Sequence, residues 1–204
     1  MIEDQLRRRG ITDARVLEAF ATVPRHAFCP PDQQAHAYAD NPLPIGGGQT
    51  ISQPYIVALT LQELDAGPQD KVLDVGSGSG YQTALLACLA GEVHAIERVA
   101  ELAERARRQL RQMGWQNVFV HVGDGTAGLA EQAPFDRIVC GAAGPDVPPA
   151  WENQLAEGGR LVMPVGGRGT QTLIRIDKRD GQLHRKDLCD VRFVPLIGGG
   201  GWPE

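Results

Sequence analysis

A glycine-rich turn after a short apolar run is the first feature of this sequence with chemical potential. Residues 71–80 read Lys-Val-Leu-Asp-Val-Gly-Ser-Gly-Ser-Gly. Gly76 and Gly78 allow the backbone to bend sharply and to approach a ligand that a Cβ atom would displace. A turn of this kind, between a buried strand and a helix, is typical of a nucleotide-binding site.

The spacing of the glycines narrows the class of nucleotide. A dinucleotide-binding turn needs a third small residue where this chain has Tyr81, and no Gly-Lys-Ser/Thr sequence follows that would hold phosphates. The turn therefore favours an adenosyl ligand without a pyrophosphate over NAD or ATP.

Two acidic residues follow the turn at positions from which they could reach such a ligand. Glu97 comes 19 residues after Gly78, close to the spacing at which a carboxylate accepts hydrogen bonds from ribose hydroxyls. The alternative for Glu97 is a solvent-facing charge at a helix start. Asp124 lies between two glycines, either in an ordinary Asp-Gly turn or in contact with the adenine amine.

Apolar runs alternate with helical patterns along most of the chain. This alternation predicts an α/β protein with a doubly wound, mostly parallel seven-stranded sheet and a small N-terminal helical extension. Ligands of such sheets bind beyond the carboxyl ends of the strands, so residues 74–78, Glu97, residues 123–125 and residues 141–143 should meet there. The predicted strands are 71–75, 93–97, 118–122, 137–141, 160–164, 172–177 and 191–195.

The chain divides into three predicted parts. Residues 1–54 form the helical extension and an irregular, substrate-binding loop rich in proline and glycine. Residues 55–197 form the ligand-binding core, with helices at about 54–66, 81–90 and 100–113. Residues 198–204 contain four consecutive glycines, and we expect this tail to be mobile.

Composition limits the partners. The chain has 204 residues and a net charge of −5, which gives no electrostatic case for nucleic acid. Its four cysteines form no Cys-x-x-Cys pair and its five histidines lack ligand spacing, so we expect neither disulfides nor a metal site. No run of 18 apolar residues would cross a membrane. We expect a cytoplasmic monomer.

Longer motifs resemble one enzyme family. Residues 73–80 are similar to the first motif of Rossmann-like class I methyltransferases, which use S-adenosyl-L-methionine. The segment 43–55, Leu-Pro-Ile-Gly-Gly-Gly-Gln-Thr-Ile-Ser-Gln-Pro-Tyr, resembles the signature of protein-L-isoaspartate O-methyltransferases. Residues 23–28, 133–136 and 191–196 also match that family, so the resemblance runs from about Leu6 to Ile197.

The resemblance implies methyl transfer from S-adenosyl-L-methionine to the free α-carboxylate of L-isoaspartyl residues in peptides and proteins. These residues arise by asparagine deamidation or aspartate isomerisation through a succinimide. The methyl ester is a good leaving group, so the succinimide re-forms and some chains return to normal aspartate. The implied role is repair of damaged proteins.

The resemblance also implies a set of site residues. The hydroxyl of Ser52 contacts the acceptor carboxylate, and the backbone of Leu43, Pro44 and Ile45 forms the wall of the isoaspartyl cleft. His26 and Arg192 have structural explanations that are at least as good, and we leave them out of the set. The predicted cofactor-binding residues are Thr50, Asp74, Gly76, Ser77, Gly78, Glu97, Asp124 and Gly125.

Three other functions fit part of the pattern. A class I methyltransferase acting on RNA or a small molecule would share the glycine turn, and so would an adenosyl-binding protein without activity. A nicotinamide oxidoreductase fits less well because of Tyr81.

Overall fold

The computed structural model describes residues 1–203. Seven strands form one sheet in the spatial order β5-β4-β3-β6-β7-β8-β9, and β1 and β2 form a separate antiparallel hairpin. The strands are β1 (Leu43–Gly46), β2 (Gln49–Ile51), β3 (Lys71–Val75), β4 (Glu92–Glu97), β5 (Val118–Val122), β6 (Phe135–Cys140), β7 (Leu155–Gly166), β8 (Gln171–Arg179) and β9 (Gln182–Val191). The α-helices are α1 (Ala14–Thr22), α2 (Pro54–Leu64), α3 (Tyr81–Leu89), α4 (Ala100–Gln112) and α5 (Pro149–Gln154).

The order of the sheet confirms the predicted doubly wound architecture. Strands β3 to β7 pair in parallel, and the winding reverses at β3, between β4 and β6. The switch point lies where β3 ends and the glycine turn begins, which is where ligands of open α/β sheets bind.

Alternate residues of the central strands bury against opposite faces of the sheet. Val72 and Val139 belong to one core cluster, together with apolar residues of α1 to α4. Leu73 and Ile138 belong to a second cluster, which includes Trp151 of α5. Both faces are therefore covered, as continuous apolar strands require.

The N-terminal extension is built into this core. Asp13 caps α1 by accepting a hydrogen bond from the backbone N–H of Arg15 at 2.8 Å. Leu6, Phe20 and Phe28 are buried in the same cluster as Val72 of the sheet. The predicted boundary at residue 54 coincides with the start of α2, but no separate core lies on its N-terminal side among the described residues.

The prediction for the last strand was wrong. The strand expected at 191–195 is β9, which ends at Val191, and residues 192–196 leave the sheet towards the glycine turn. Strand β9 follows β8 through a two-residue hairpin in which Asp180 and Gly181 have φ values of 54° and 71°. Asp-Gly is a standard hairpin signal, but β9 is a polar edge strand that a search for apolar runs overlooks.

Two other elements were not predicted. The segment expected to be irregular contains the β1–β2 hairpin, whose connection uses positive φ angles at Gly46, Gly47 and Gly48. Helix α5 is only six residues long, too short for a clear periodic pattern.

Candidate active site

The glycine turn has the sharply bent backbone that its sequence predicts. Gly76 and Gly78 have φ values of 75° and 51°, a region that residues with a Cβ atom rarely adopt. The N–H of Gly76 donates to the Ile96 carbonyl at 2.8 Å, which ties the turn to the end of β4. The turn therefore exposes its backbone at the switch point of the sheet.

Glu97 ends β4 beside this turn and is nearly buried, with 5% of its surface exposed. Its Oε2 atom accepts from the N–H of Gly78 at 3.0 Å, and its Oε1 atom accepts from the N–H of Val99 at 2.8 Å. A carboxylate oxygen can accept two hydrogen bonds, so each retains capacity for a ribose hydroxyl.

A narrow crevice collects most of the predicted cofactor-binding residues. Thr50, Gly76, Gly78, Glu97 and Gly125 all line it. Its other walls come from residues 194–197, which follow β9, and from the residues after β6. The crevice thus joins the ends of four strands, β3 to β6, to two segments that are distant in sequence.

Ser77 lines an adjoining cavity and provides a test of whether an adenosyl cofactor fits. Its hydroxyl is buried and makes no hydrogen bond within the protein. Buried polar groups normally have a partner, so the orphaned hydroxyl beside the glycine backbone suits a polar ligand. Together with the free capacity of Glu97, this fits S-adenosyl-L-methionine.

Asp74 is not among the residues that line the crevice, and its role as a cofactor ligand stays a prediction. Its side chain is fully buried and accepts from Thr83 Oγ1 at 2.6 Å and from Gln82 Nε2 at 2.9 Å. Asp74 therefore joins the end of β3 to the first turn of α3. Burial raises its pKa to about 6, against the effect of these hydrogen bonds, and the charge of Glu97 acts in the same direction as burial.

The raised pKa of Asp74 predicts a stability change with pH. Because the folded protein binds this proton more tightly than the unfolded chain, the Asp74 contribution to the free energy of unfolding falls as the pH rises from about 4 to about 6. We expect Asp74→Asn to remove that fall, so that the variant gains up to about 3 kcal/mol relative to the native protein across this interval. Urea unfolding of both proteins between pH 4.5 and 7.5 measures the difference; a difference that is constant with pH would contradict the prediction.

Asp124 is also engaged within the protein. Its carboxylate accepts from the N–H and the hydroxyl of Thr126, and from the N–H of Gly199 at 2.8 Å. These bonds and the charge of Arg98 lower its pKa although partial burial opposes the change. Asp124 stands at the mouth of a neighbouring cavity, while the next residue, Gly125, lines the crevice itself.

The glycine tail, which we expect to be mobile, folds back in this structure and lines the neighbouring cavity with Gly198, Trp202 and Pro203. Besides the bond from Gly199, the N–H of Gly200 donates to Thr126 Oγ1 at 2.9 Å. The indole N–H of Trp202 donates to the Ala143 carbonyl at 3.1 Å. A run of glycines suggested flexibility because the sequence alone does not show which hydrogen-bond acceptors lie beside the tail in the folded protein.

Ser52 lines a larger cavity of about 480 Å³, beside the crevice. Gln53, Asp190 and Arg192 contribute to the walls of this cavity. Thr50 and Gly141 line the crevice, the adjoining cavity and the large cavity, so these spaces meet at the two residues. A group in the crevice and a second molecule in the large cavity would approach each other beside Ser52.

The sequence matches the profile of the family described as Protein-L-isoaspartate(D-aspartate) O-methyltransferase over residues 1–201. This chain belongs to that family. It is 56% identical over 202 residues to the protein-L-isoaspartate O-methyltransferase of Koribacter versatilis, a match that covers 99% of this chain and 91% of the relative. It is 54% identical over 199 residues to the Roseiflexus castenholzii enzyme, covering 98% and 91%.

Solved structures agree with the family assignment. A Plasmodium falciparum structure, described as a protein-L-isoaspartate O-methyltransferase in complex with S-adenosyl-L-homocysteine, is 30% identical and superposes with a TM-score of 0.84. The match covers 96% of each chain. The predicted family, Rossmann-like methyltransferase fold and S-adenosyl-L-methionine cofactor are therefore confirmed.

The three residues whose backbone is predicted to form the wall of the isoaspartyl cleft lie on β1. Leu43 and Ile45 are buried in the core beneath the hairpin, and Pro44 is exposed. The neighbouring Pro42, rather than any of these three, lines the large cavity. The Ile45 carbonyl accepts from Arg105 Nη2 at 2.7 Å, which ties β1 to α4. A substrate role for Leu43, Pro44 and Ile45 stays a prediction.

Sequence reasoning missed several residues around the two cavities. Residues 194–197 form a wall of the crevice, whereas the sequence analysis predicted a strand at 191–195 and gave the family-like stretch 191–196 no role in the site. Arg25 and Asp40 contact the segment around Ser52 from elements distant in sequence. Their residue types gave no signal, because an arginine or aspartate in a loop is normally at the surface.

Other kinds of site are not indicated by the described residues. Within residues 1–203, no group of three or more histidine, cysteine, aspartate or glutamate side chains is placed to hold a metal ion. None of the helices in this part of the chain has both the length and the apolar character of a membrane span.

Proposed function

We propose that this protein methylates L-isoaspartyl residues where the cofactor crevice meets the large cavity. The methyl group of S-adenosyl-L-methionine is transferred to the free α-carboxylate of the isoaspartyl residue. The backbone amide nitrogen of the following residue then displaces methanol from the resulting ester and closes a succinimide, which water opens in part to normal aspartate. The observation that supports this location is that Thr50 and Gly141 line both the cofactor crevice and the large cavity.

The composition of the large cavity suits a substrate that needs no deprotonation. An α-carboxylate has a pKa of roughly 3.5 and is already ionised at neutral pH. Among the described residues that line the large cavity there is no histidine, cysteine or lysine, and Asp190 is the one carboxylate, so an acceptor that is already ionised suits this site. S-adenosyl-L-methionine supplies an electrophilic methyl group when it is bound. The protein therefore has to align two reactants and exclude water, which can contribute on the order of 7 to 11 kcal/mol.

We assign the roles of the residues from their positions. Glu97 accepts hydrogen bonds from the ribose hydroxyls, and the backbone of Gly76 and Gly78 permits close approach of the cofactor. Ser52 donates its hydroxyl hydrogen to the acceptor carboxylate. The size of the large cavity, about 480 Å³, accommodates a peptide segment around the isoaspartyl residue.

The remaining predictions about partners and setting are part of this proposal. The net charge of −5 favours peptide over nucleic-acid partners. A monomeric state and a cytoplasmic location, the latter expected from the cysteine usage, also stay predictions.

A matched pair of peptides tests the proposed function. Labelled S-adenosyl-L-methionine is incubated with the protein and a peptide that carries either L-isoaspartate or normal aspartate at one position. We expect base-labile label, released as methanol, on the isoaspartyl peptide alone. Label on neither peptide, with the cofactor still bound, would overturn the proposed function, and label on both would overturn the substrate specificity.

A further inference from the structure

Arg25 is a fully buried arginine directly behind the Ser52 segment. It begins a short helical turn, Arg25–Phe28, and none of its surface is exposed. Its Nη2 atom donates to the backbone carbonyl of Ser52 at 2.7 Å. Its Nε atom donates to the carbonyl of Ala37, also at 2.7 Å. The guanidinium thus bridges the loop before β1 and the residue that we assign to the substrate carboxylate.

The burial of this cation is costly. No described carboxylate lies within ion-pair distance of Arg25, and its Nη1 atom has no hydrogen-bond partner. The guanidinium packs over the ring of Tyr81, 5.0 Å from its centroid, and the Tyr81 hydroxyl also lacks a partner. Burial lowers the pKa of Arg25, but a guanidinium remains charged at neutral pH. An apolar side chain would avoid the desolvation cost, but it would leave the carbonyls of Ser52 and Ala37 without this donor, so the value of Arg25 lies in these two contacts.

A second contact fixes the other side of the same segment. Asp40 accepts from Gln53 Nε2 at 2.7 Å and from the N–H of Tyr55 at 3.1 Å. The second bond caps the start of α2 from a distant part of the chain. Asp40 is itself paired with Arg9. The carbonyl of Ser52 and the residues that follow it are therefore held from both sides.

We propose that Arg25 is a positioning residue for methyl transfer, which acts by holding the Ser52 carbonyl so that the Ser52 hydroxyl faces the large cavity. This inference rests on the proposed function. A misplacement of about 1 Å in a reacting constellation can reduce the rate about 100-fold, so one rigid contact to the backbone of Ser52 is enough to matter.

A double-mutant cycle between Arg25 and Ser52 tests the inference. Arg25→Gln, Ser52→Ala and the double variant are assayed with the isoaspartyl peptide, and activity is divided by the amount of protein that binds cofactor in calorimetry. We expect Arg25→Gln to lower kcat about 10- to 100-fold, with the Kd of the cofactor within twofold of the native value. In the Ser52→Ala background the same change should lower kcat less than threefold, because the hydroxyl that Arg25 positions is absent.

Two further variants separate positioning from stability. Arg25→Lys keeps the charge but carries its donors on a single nitrogen, so we expect it to fold and to lower kcat with the same dependence on Ser52. Arg160→Gln is the matched control: Arg160 donates to the Glu63 carbonyl at 3.0 Å, near the other end of α2. We expect it to lower the melting temperature and to leave kcat within twofold.

The outcomes distinguish the two proposals. No methylation by the native protein would end the proposed function and, with it, this inference. If the native protein methylates the peptide but the Arg25 variants lower kcat equally in the native and Ser52→Ala backgrounds, only this inference would be overturned. A loss of cofactor affinity in parallel with kcat would also overturn it, since the effect would then be on the whole fold.

Discussion

Ser52→Ala is expected to lower kcat for methylation of an isoaspartyl peptide about 100-fold and to leave the Kd of S-adenosyl-L-methionine within twofold. Ser52 lines the large cavity and lies on the segment that Arg25 and Asp40 hold. Ser52 aligns the attacking carboxylate oxygen with the methyl group, and a misplacement of about 1 Å can reduce the rate about 100-fold. Because the acceptor carboxylate loses charge during methyl transfer, alignment and not charge stabilisation is the source of the expected effect.

Labelled-methyl kinetics with varied peptide concentration, together with calorimetry of the cofactor, measure the effect of Ser52→Ala. Thr170→Val is the matched control, since it deletes another hydroxyl that lines the same cavity. It should retain kcat within about twofold. If Ser52→Ala were as active as the native protein, Ser52 would be a structural residue and the assigned role would be wrong.

Glu97→Gln is expected to weaken the binding of S-adenosyl-L-methionine about 10- to 100-fold. In the native protein both carboxylate oxygens accept backbone hydrogen bonds, from Gly78 and from Val99. An amide replaces one acceptor with a donor, so one of these N–H groups loses its partner and the ribose loses an acceptor. Hydrogen bonds to a charged group contribute about 1.5 to 3 kcal/mol, which corresponds to this range of affinity.

Calorimetric titration with S-adenosyl-L-methionine tests the prediction for Glu97, and kcat at saturating cofactor should stay within a fewfold of the native value. Glu101→Gln removes the same charge from the exposed first turn of α4 and should leave the affinity unchanged. An unchanged Kd in folded Glu97→Gln protein would exclude Glu97 from the cofactor site.

The two effects separate because the site has two functional parts. The crevice is formed by strand ends of the sheet, whereas Ser52 lies on the segment between β2 and α2. Binding of cofactor depends on the first part, and its alignment with the peptide depends on the second. Variants of the crevice should therefore change the Kd of the cofactor, and variants of the Ser52 segment should change kcat.

The sequence by itself determined the fold class, the glycine turn, the position of Glu97 at the end of a strand and the family. Each depends on local information: strand 118–122 was predicted at its observed bounds from its apolar pattern, and the turn needs glycine because of its positive φ angles. The family signature around Ser52 is likewise a continuous segment. Local chemistry was sufficient where the interacting residues are near in sequence or the backbone conformation restricts the residue type.

Only the tertiary structure decided where the polar groups point. Asp74 directs its carboxylate to α3, Asp124 accepts a bond from the tail at Gly199, and Arg25 supports the carbonyl of Ser52. Each contact joins a side chain to a partner whose position depends on how helices and loops pack. Sequence spacing specifies the end of the sheet at which a residue stands, but not which hydrogen-bond partner packing brings to it.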